Sequence, residues 1–155
     1  MQNNCITKLL NIQGVKVKNI KNNSNSLDVY IETNPKLHKC PSCNHFTKRI
    51  HDYRIQKIQH VLIGSISSYL YLNKRRYVCP YCNKRFYEDY SFIQKYFRKS
   101  NTVFDKVISD LKQTKNFKTI AKDNNISSST VVRFLNYKIL FRELYLWLYL
   151  RLFFT

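Results

Sequence analysis

Acidic residues are scarce in this chain: 9 Asp and Glu stand against 27 Lys and Arg over 155 residues, a formal charge of +18. So few carboxylates exclude an ordinary metabolic enzyme. A charge this one-sided repels itself unless a polyanion, either nucleic acid or an anionic membrane, neutralises it. Glycine and proline are nearly missing too, at 2 and 3 residues. Neither G-x-x-x-x-G-K nor G-x-G-x-x-G occurs, which argues against nucleotide hydrolysis and dinucleotide binding. Long apolar runs are also absent: in the apolar stretch at the end, the longest uncharged run is Leu144 to Leu150. A bilayer span needs about 20 such residues, so no membrane is expected as a partner. The start, Met1-Gln2-Asn3-Asn4-Cys5, lacks the basic-then-apolar order of a secretory signal, and a reducing, cytoplasmic setting follows as the expectation. What the chain does have is 44% hydrophobic and 15% aromatic residues, enough to pack one or two small domains.

Five cysteines in a reducing compartment call for a reason other than disulfides. Four of them form two C-P-x-C pairs, Cys40-Pro41-Ser42-Cys43 and Cys79-Pro80-Tyr81-Cys82; Cys5 stands apart. Two C-x-x-C pairs supply the closed tetrahedron of thiolates that a structural zinc takes. The proline after the first Cys of each pair pre-bends the turn. A long connection separates the pairs, but closure entropy grows only logarithmically with length. The expected cofactor is one structural zinc on Cys40, Cys43, Cys79 and Cys82. His38 and His45 flank the first pair and are expected at the surface, because four thiolates already complete the shell; His51 and His60 have no ligand-like partner. A catalytic zinc would need an open position, so the ion is expected to hold the fold.

The charge is concentrated. Residues 36–99 hold 14 basic and 3 acidic residues. Ahead of them Val15 and Val17, then Leu27, Val29 and Ile31, alternate around Asn22-Asn23-Ser24-Asn25-Ser26, predicting a hairpin within residues 1–35. Ile50 to Gln56 and Ile66 to Tyr77 also read as strands, with Gly64 turning between them. In the second, Ile66, Leu70 and Leu72 share one face, with Tyr69, Tyr71 and Tyr77 on the other. After Ser100 the period becomes 3.6: Val103, Phe104, Val107, Ile108 and Leu111 mark a helix, with a capping box at Thr102 and Asp105.

Two more short helices are expected at Phe117 to Asp123 and Ser128 to Asn136, capped by Asn116 and Ser127. Their layout is that of a helix-turn-helix. Ala121 is small where the helices cross, Asn125 stands where the turn wants a left-handed backbone, and Ile126 plugs the gap. Ile120, Val131, Phe134 and Leu135 make the inner face. Ser128, Ser129, Thr130, Val132 and Arg133 then stand at the start of a recognition helix suited to a major groove. Lys74, Arg75, Arg76, Lys84 and Arg85 are candidates to grip phosphates. Tyr69, Tyr71 and Tyr77 interleave with that run, available either for stacking on bases or for packing the sheet. The expected class is α+β: a small β-rich zinc ribbon (residues 36–99) after the hairpin region, then a helix-turn-helix bundle (residues 100–138) and an apolar C-terminal stretch (residues 139–155).

These residues resemble a known arrangement. C-P-S-C, then Ile50-His51-Asp52-Tyr53-Arg54, then Lys74-Arg75-Arg76-Tyr77-Val78-Cys79-Pro80-Tyr81-Cys82 with Arg85-Phe86-Tyr87-Glu88, and finally the helix-turn-helix, are similar to the N-terminal half of bacterial insertion-sequence transposases of the ISL-three family, over residues 7–138. The resemblance implies sequence-specific binding of double-stranded DNA at an element's terminal inverted repeats, ahead of a ribonuclease-H-like catalytic domain with two Asp and one Glu. Here the chain departs from the family: after the helix-turn-helix, Glu143 is its only acid. The expectation is therefore a truncated, nucleoid-associated transposase fragment that binds DNA without strand transfer and is not itself an enzyme. The alternatives are a non-catalytic subunit of a split transposase, pairing with a catalytic chain or with itself as a dimer, and a stand-alone DNA- or RNA-binding regulator.

Overall fold

The computed structural model describes residues 6–8, 10–64, 66–113 and 115–153, those beyond residue 140 by their backbone course alone. Cys5 lies outside the described residues. The chain divides into two compact units, residues 1–102 and 103–155.

The first unit is strand-rich. β1 (Val15–Asn23) and β2 (Ser26–Thr33) form the expected antiparallel hairpin, closing at the Asn23↔Ser26 pair. β3 (His38–Lys39) and β4 (Phe46–Thr47) make a two-stranded ribbon of their own. β5 (Ile50–Gln59) and β6 (Ser67–Val78) are long antiparallel partners, and β7 (Arg85–Tyr87) adds to the far end of β6. Gly64 turns between β5 and β6 with φ of 61°, a left-handed backbone that glycine adopts freely. The main sheet runs β1-β2-β6-β5, with β2 and β6 parallel. β6 is therefore the spine. β5 borders it along one edge, while β2 takes Ser67–Leu72 and β7 takes Arg76–Val78 on the other. The hairpin and the cysteine segment, expected as separate regions, share this one sheet.

Alternation along the strands decides what is buried. Val29 and Ile31 on β2, Leu70 and Leu72 on β6 and Ile58 on β5 point to one face and are fully buried against Leu10, Ile12, Phe92 and Ile93. Beyond Leu72 the buried positions on β6 change parity, to Arg75 and Tyr77. The opposite face is covered there by other residues: the His38 ring lies 4.5 Å from that of Tyr77, and Phe86 lies 6.0 Å away. Tyr77 is thus fully buried, although it shares its face with the half-buried Tyr69 and Tyr71.

The second unit is helical. α1 (Asn101–Leu111) buries Val103, Phe104 and Val107. It starts at Asn101, one residue before Thr102, so the expected capping box falls inside the first turn. α2 (Phe117–Asp123) is capped by Asn116, whose side chain accepts from the Thr119 N–H at 2.8 Å. Asn125 takes φ of 50°, the left-handed backbone asked of it, and the Ile126 N–H bonds back to the Ala121 carbonyl at 2.9 Å. α3 (Ser128–Phe153) then runs unbroken, carrying the apolar C-terminal stretch as part of one helix. Ile120, Val131 and Phe134 are fully buried, and Phe134 meets the Phe104 ring edge-on at 5.1 Å. Among the described residues no helix is long and apolar enough to cross a membrane.

Candidate metal centre

Each cysteine pair sits at the tip of an antiparallel ribbon, the first on β3–β4 and the second on β6–β7. The two tips are built alike. The Cys40 N–H bonds the His45 carbonyl at 2.8 Å and the Asn44 N–H bonds the Cys40 carbonyl at 3.0 Å. In the second tip Cys79 pairs with Lys84 and Asn83 with Cys79, both at 3.0 Å. Asn44 and Asn83 take φ of 62° and 55°. Asparagine is the residue after glycine that best tolerates this left-handed turn. It was legible as C-P-x-C-N written twice, a repeat that extends one residue beyond the cysteines.

The ribbons bring all four thiols together, their sulfurs within 4.8 Å of one another. Cys40 and Cys82 are 3.6 Å apart and Cys43 and Cys79 3.4 Å. A zinc–sulfur bond of about 2.3 Å implies tetrahedron edges of about 3.8 Å, so the donor set fits one zinc ion. Among the described residues this is the one group of three or more His, Cys, Asp or Glu side chains placed to hold an ion. Burial opposes ionisation of Cys40, but the backbone N–H groups of Cys43 and Ser42 and the neighbouring thiols outweigh it, to about 6. Cys79 is lowered in the same way, against burial, by the N–H groups of Cys82 and Tyr81. At Cys43 the His45 backbone favours the thiolate, yet burial and the thiol's bonds to the other sulfurs push it up to about 12. Four thiolates cannot share this space unaided, and a dication supplies the charge they need.

Behind the tips lies a polar cluster that the spacing of residues did not announce. Arg75 and Glu88 are buried and lie 3.5 Å apart. Arg75 also donates to Thr33 Oγ1 at 2.9 Å and to its carbonyl at 2.5 Å. Tyr90 donates to Glu88 at 2.6 Å, with burial and the Glu88 charge holding its hydroxyl proton on. His38 stands 3.4 Å from the same carboxylate, half-buried rather than at the surface.

Arg75 thus corrects the expectation for the basic run: β6 turns Lys74 and Arg76 to one side and Arg75 to the other, where it is enclosed. On the side of Lys74 and Arg76, which are half-buried, the ladder sets Arg54 beside Lys74, Asp52 and Tyr87 beside Arg76, and Arg85 beside Val78. Lys74 lies 4.6 Å over the Tyr87 ring, and Arg76 lies 3.4 Å from Asp52 and 5.9 Å from Tyr87. Arg54, Arg85 and Lys84 are exposed. Residue order along the chain hides Arg54, because only strand pairing puts it beside Lys74. In the helical unit Ser128, Ser129, Val132 and Arg133 are exposed. Thr130 is not: it is 9% exposed, and its hydroxyl lies 2.9 Å from that of Ser127 at the helix start.

Two cysteine tips on antiparallel ribbons, closing on one tetrahedral site, define a four-cysteine zinc ribbon. Residues 36–82 match the family model of the ISL3 zinc ribbon, described as the zinc-finger of transposase IS204/IS1001/IS1096/IS1165. No curated protein and no solved structure matches the chain.

Proposed function

We propose that this chain is a DNA-binding part of an ISL-three-type transposase, engaging double-stranded DNA at the terminal inverted repeats of its element, with no strand-transfer chemistry among the described residues. The observation that carries the reading is the basic sheet face next to the second cysteine tip: Arg54, Lys74, Arg76 and Arg85 on three adjacent strands, a patch roughly 10 Å wide. Cations so spaced neutralise phosphates and release counterions, and that release dominates affinity for a duplex. Residues 117–135 supply the second contact as a helix-turn-helix, with Ser128, Ser129, Val132 and Arg133 toward the bases and Ser127 and Thr130 fixing the helix start. Four thiols closing on one site support a structural metal.

Footprinting with zinc-loaded protein on the ends of an ISL-three-type element tests the reading. Protection of the inverted repeats, lost when those sequences are scrambled, is the expected outcome. Equal affinity for scrambled and native ends would reduce the protein to a non-specific polyanion binder and overturn it.

A further inference from the structure

The side of the sheet opposite the basic face carries a second feature. A row of residues in register crosses all four main strands: Asn19 on β1, Tyr30 on β2, Tyr71 on β6 and Lys57 on β5. Tyr30 and Tyr71 stack at 4.9 Å with their planes 17° apart. Next to this pair opens a cavity of about 270 Å³, lined by both rings, Ile55, Asn73, Lys18 and Glu32. Ile55 is 70% exposed, an apolar side chain left in water on an open sheet. Asn73 stands beside it in the ladder, bringing an amide donor and acceptor into the cavity. Lys18 and Glu32 form a 2.6 Å ion pair among the lining residues.

We propose that this cavity accepts an unpaired nucleobase of single-stranded nucleic acid. A base offers what the lining asks for: a flat face to lie between the tyrosines and Ile55, and a polar edge for Asn73 and the Lys18–Glu32 pair. An apolar peptide side chain would leave the Asn73 amide without a partner. Cations lie over the rings, Lys21 5.4 Å from the centre of Tyr30 and Lys57 5.5 Å from Tyr71 and 3.9 Å from Tyr69, and a strand's phosphates would draw them off the ring faces as a base arrives. The two carboxylates on this face, Asp28 and Glu32, are each paired in the ladder with a lysine, Lys21 and Lys16. Four lysines, Lys16, Lys18, Lys21 and Lys57, against these two carboxylates leave the face net positive. Tyr30, Lys18 and Glu32 belong to the hairpin, outside the residues that match the transposase zinc-finger.

The test uses full-length, zinc-loaded protein with labelled twelve-residue oligothymidylate and oligouridylate, and a duplex of the same length, read by anisotropy. Tyr71→Ala should weaken single-strand binding roughly five- to a hundredfold, the range for removing a base-stacking ring. Tyr71→Phe should keep it, and Asn73→Leu should lower it several-fold. Duplex affinity should move less than about twofold, and the salt slope should be unchanged because the ring carries no charge. Preference between the two oligonucleotides tells DNA from RNA as the source of the base. If Tyr71→Ala proves unstable, Ile55→Asp at its exposed position carries the test alone. No single-strand binding by the wild type, equal losses on duplex and single strand, or a change of sedimentation state with Tyr71→Ala would each overturn the proposal, the last by giving this face to a second copy of the chain. Duplex binding rests on other residues, so its failure would leave this result readable on its own.

Discussion

Adjacent residues in a strand lead opposite lives, and Arg75 and Arg76 show what that costs and gives. Arg76 is half-buried beside Asp52, whereas Arg75 is enclosed with Glu88 and Thr33. Removing one partner of a buried pair leaves an uncompensated charge, typically costing about 3–5 kcal/mol. Arg75→Met should therefore lower the urea midpoint sharply while leaving the DNA affinity of the folded fraction near wild type. Arg76→Ala and Arg54→Ala should do the reverse, each reducing the slope of log affinity against log salt by about 1. An equal slope in wild type and Arg54→Ala would remove that residue from the contact surface. His60 poses a different problem of burial. It is enclosed, with Nδ1 2.8 Å from Ser100 Oγ, and burial holds its pKa below the ordinary value although the Leu10 backbone pulls the other way. The unfolded chain thus binds the proton more readily. The stability this imidazole contributes is complete above about pH 6.5 and is lost as pH falls from there toward the folded value. With zinc saturating, His60→Gln should flatten the fall in urea midpoint between pH 7.5 and 5.5. A fall as steep as in the wild type would place the titration elsewhere.

At the scale of elements, the two cysteine tips are the same device used twice, and each depends on an asparagine in the left-handed region. A β-branched side chain there costs roughly 1–2 kcal/mol or more, and metal binding has to supply it. Asn83→Val should weaken zinc affinity about tenfold in a chelator competition, and Asn83→Gly should leave it nearly unchanged. Equal affinity in both variants would show that the turn is set by the metal alone. Much here was legible in the sequence, because local chemistry carries it. Alternation marked β1, β2, β5 and β6, the 3.6-residue period marked α1, and Asn116 and Asn125 marked a cap and a turn. What was not legible depends on which strand lies beside which. The parallel pairing of β2 with β6 joins the hairpin to the ribbon, and the cover over Tyr77 shifts the buried parity of β6. Both come from contacts between residues far apart in the chain. The same holds for Asn124, buried and bonded to Asp110 at 2.9 Å between α1 and α2, which looks from its neighbours like an ordinary turn residue.

The whole chain holds two units with different sources of stability. In residues 1–102 the spine strand β6 runs from the apolar core at Leu70 and Leu72 straight into Cys79, so the core and the metal site share one element. Apparent zinc-binding energies of about 10–16 kcal/mol in small zinc domains are comparable to the net stability of a whole domain, about 5–15 kcal/mol. Loss of the metal is thus expected to unfold the strands. Residues 103–155 include none of the four cysteines, and among their described residues Val103, Phe104, Val107, Ile120, Ala121, Val131 and Phe134 are buried apolar side chains. A strong chelator should abolish the strand contribution to the far-UV spectrum while most of the helical signal at 222 nm persists, and one equivalent of zinc should restore the original trace. Cys40→Ser should mimic the chelated state without it. Duplex binding should fall in both cases, since the basic face of Arg54, Lys74, Arg76 and Arg85 exists only when β5, β6 and β7 are paired. A spectrum unmoved by chelation, or a helical signal lost in step with the strands, would mean that the division of labour between metal and apolar core does not follow the division of the chain.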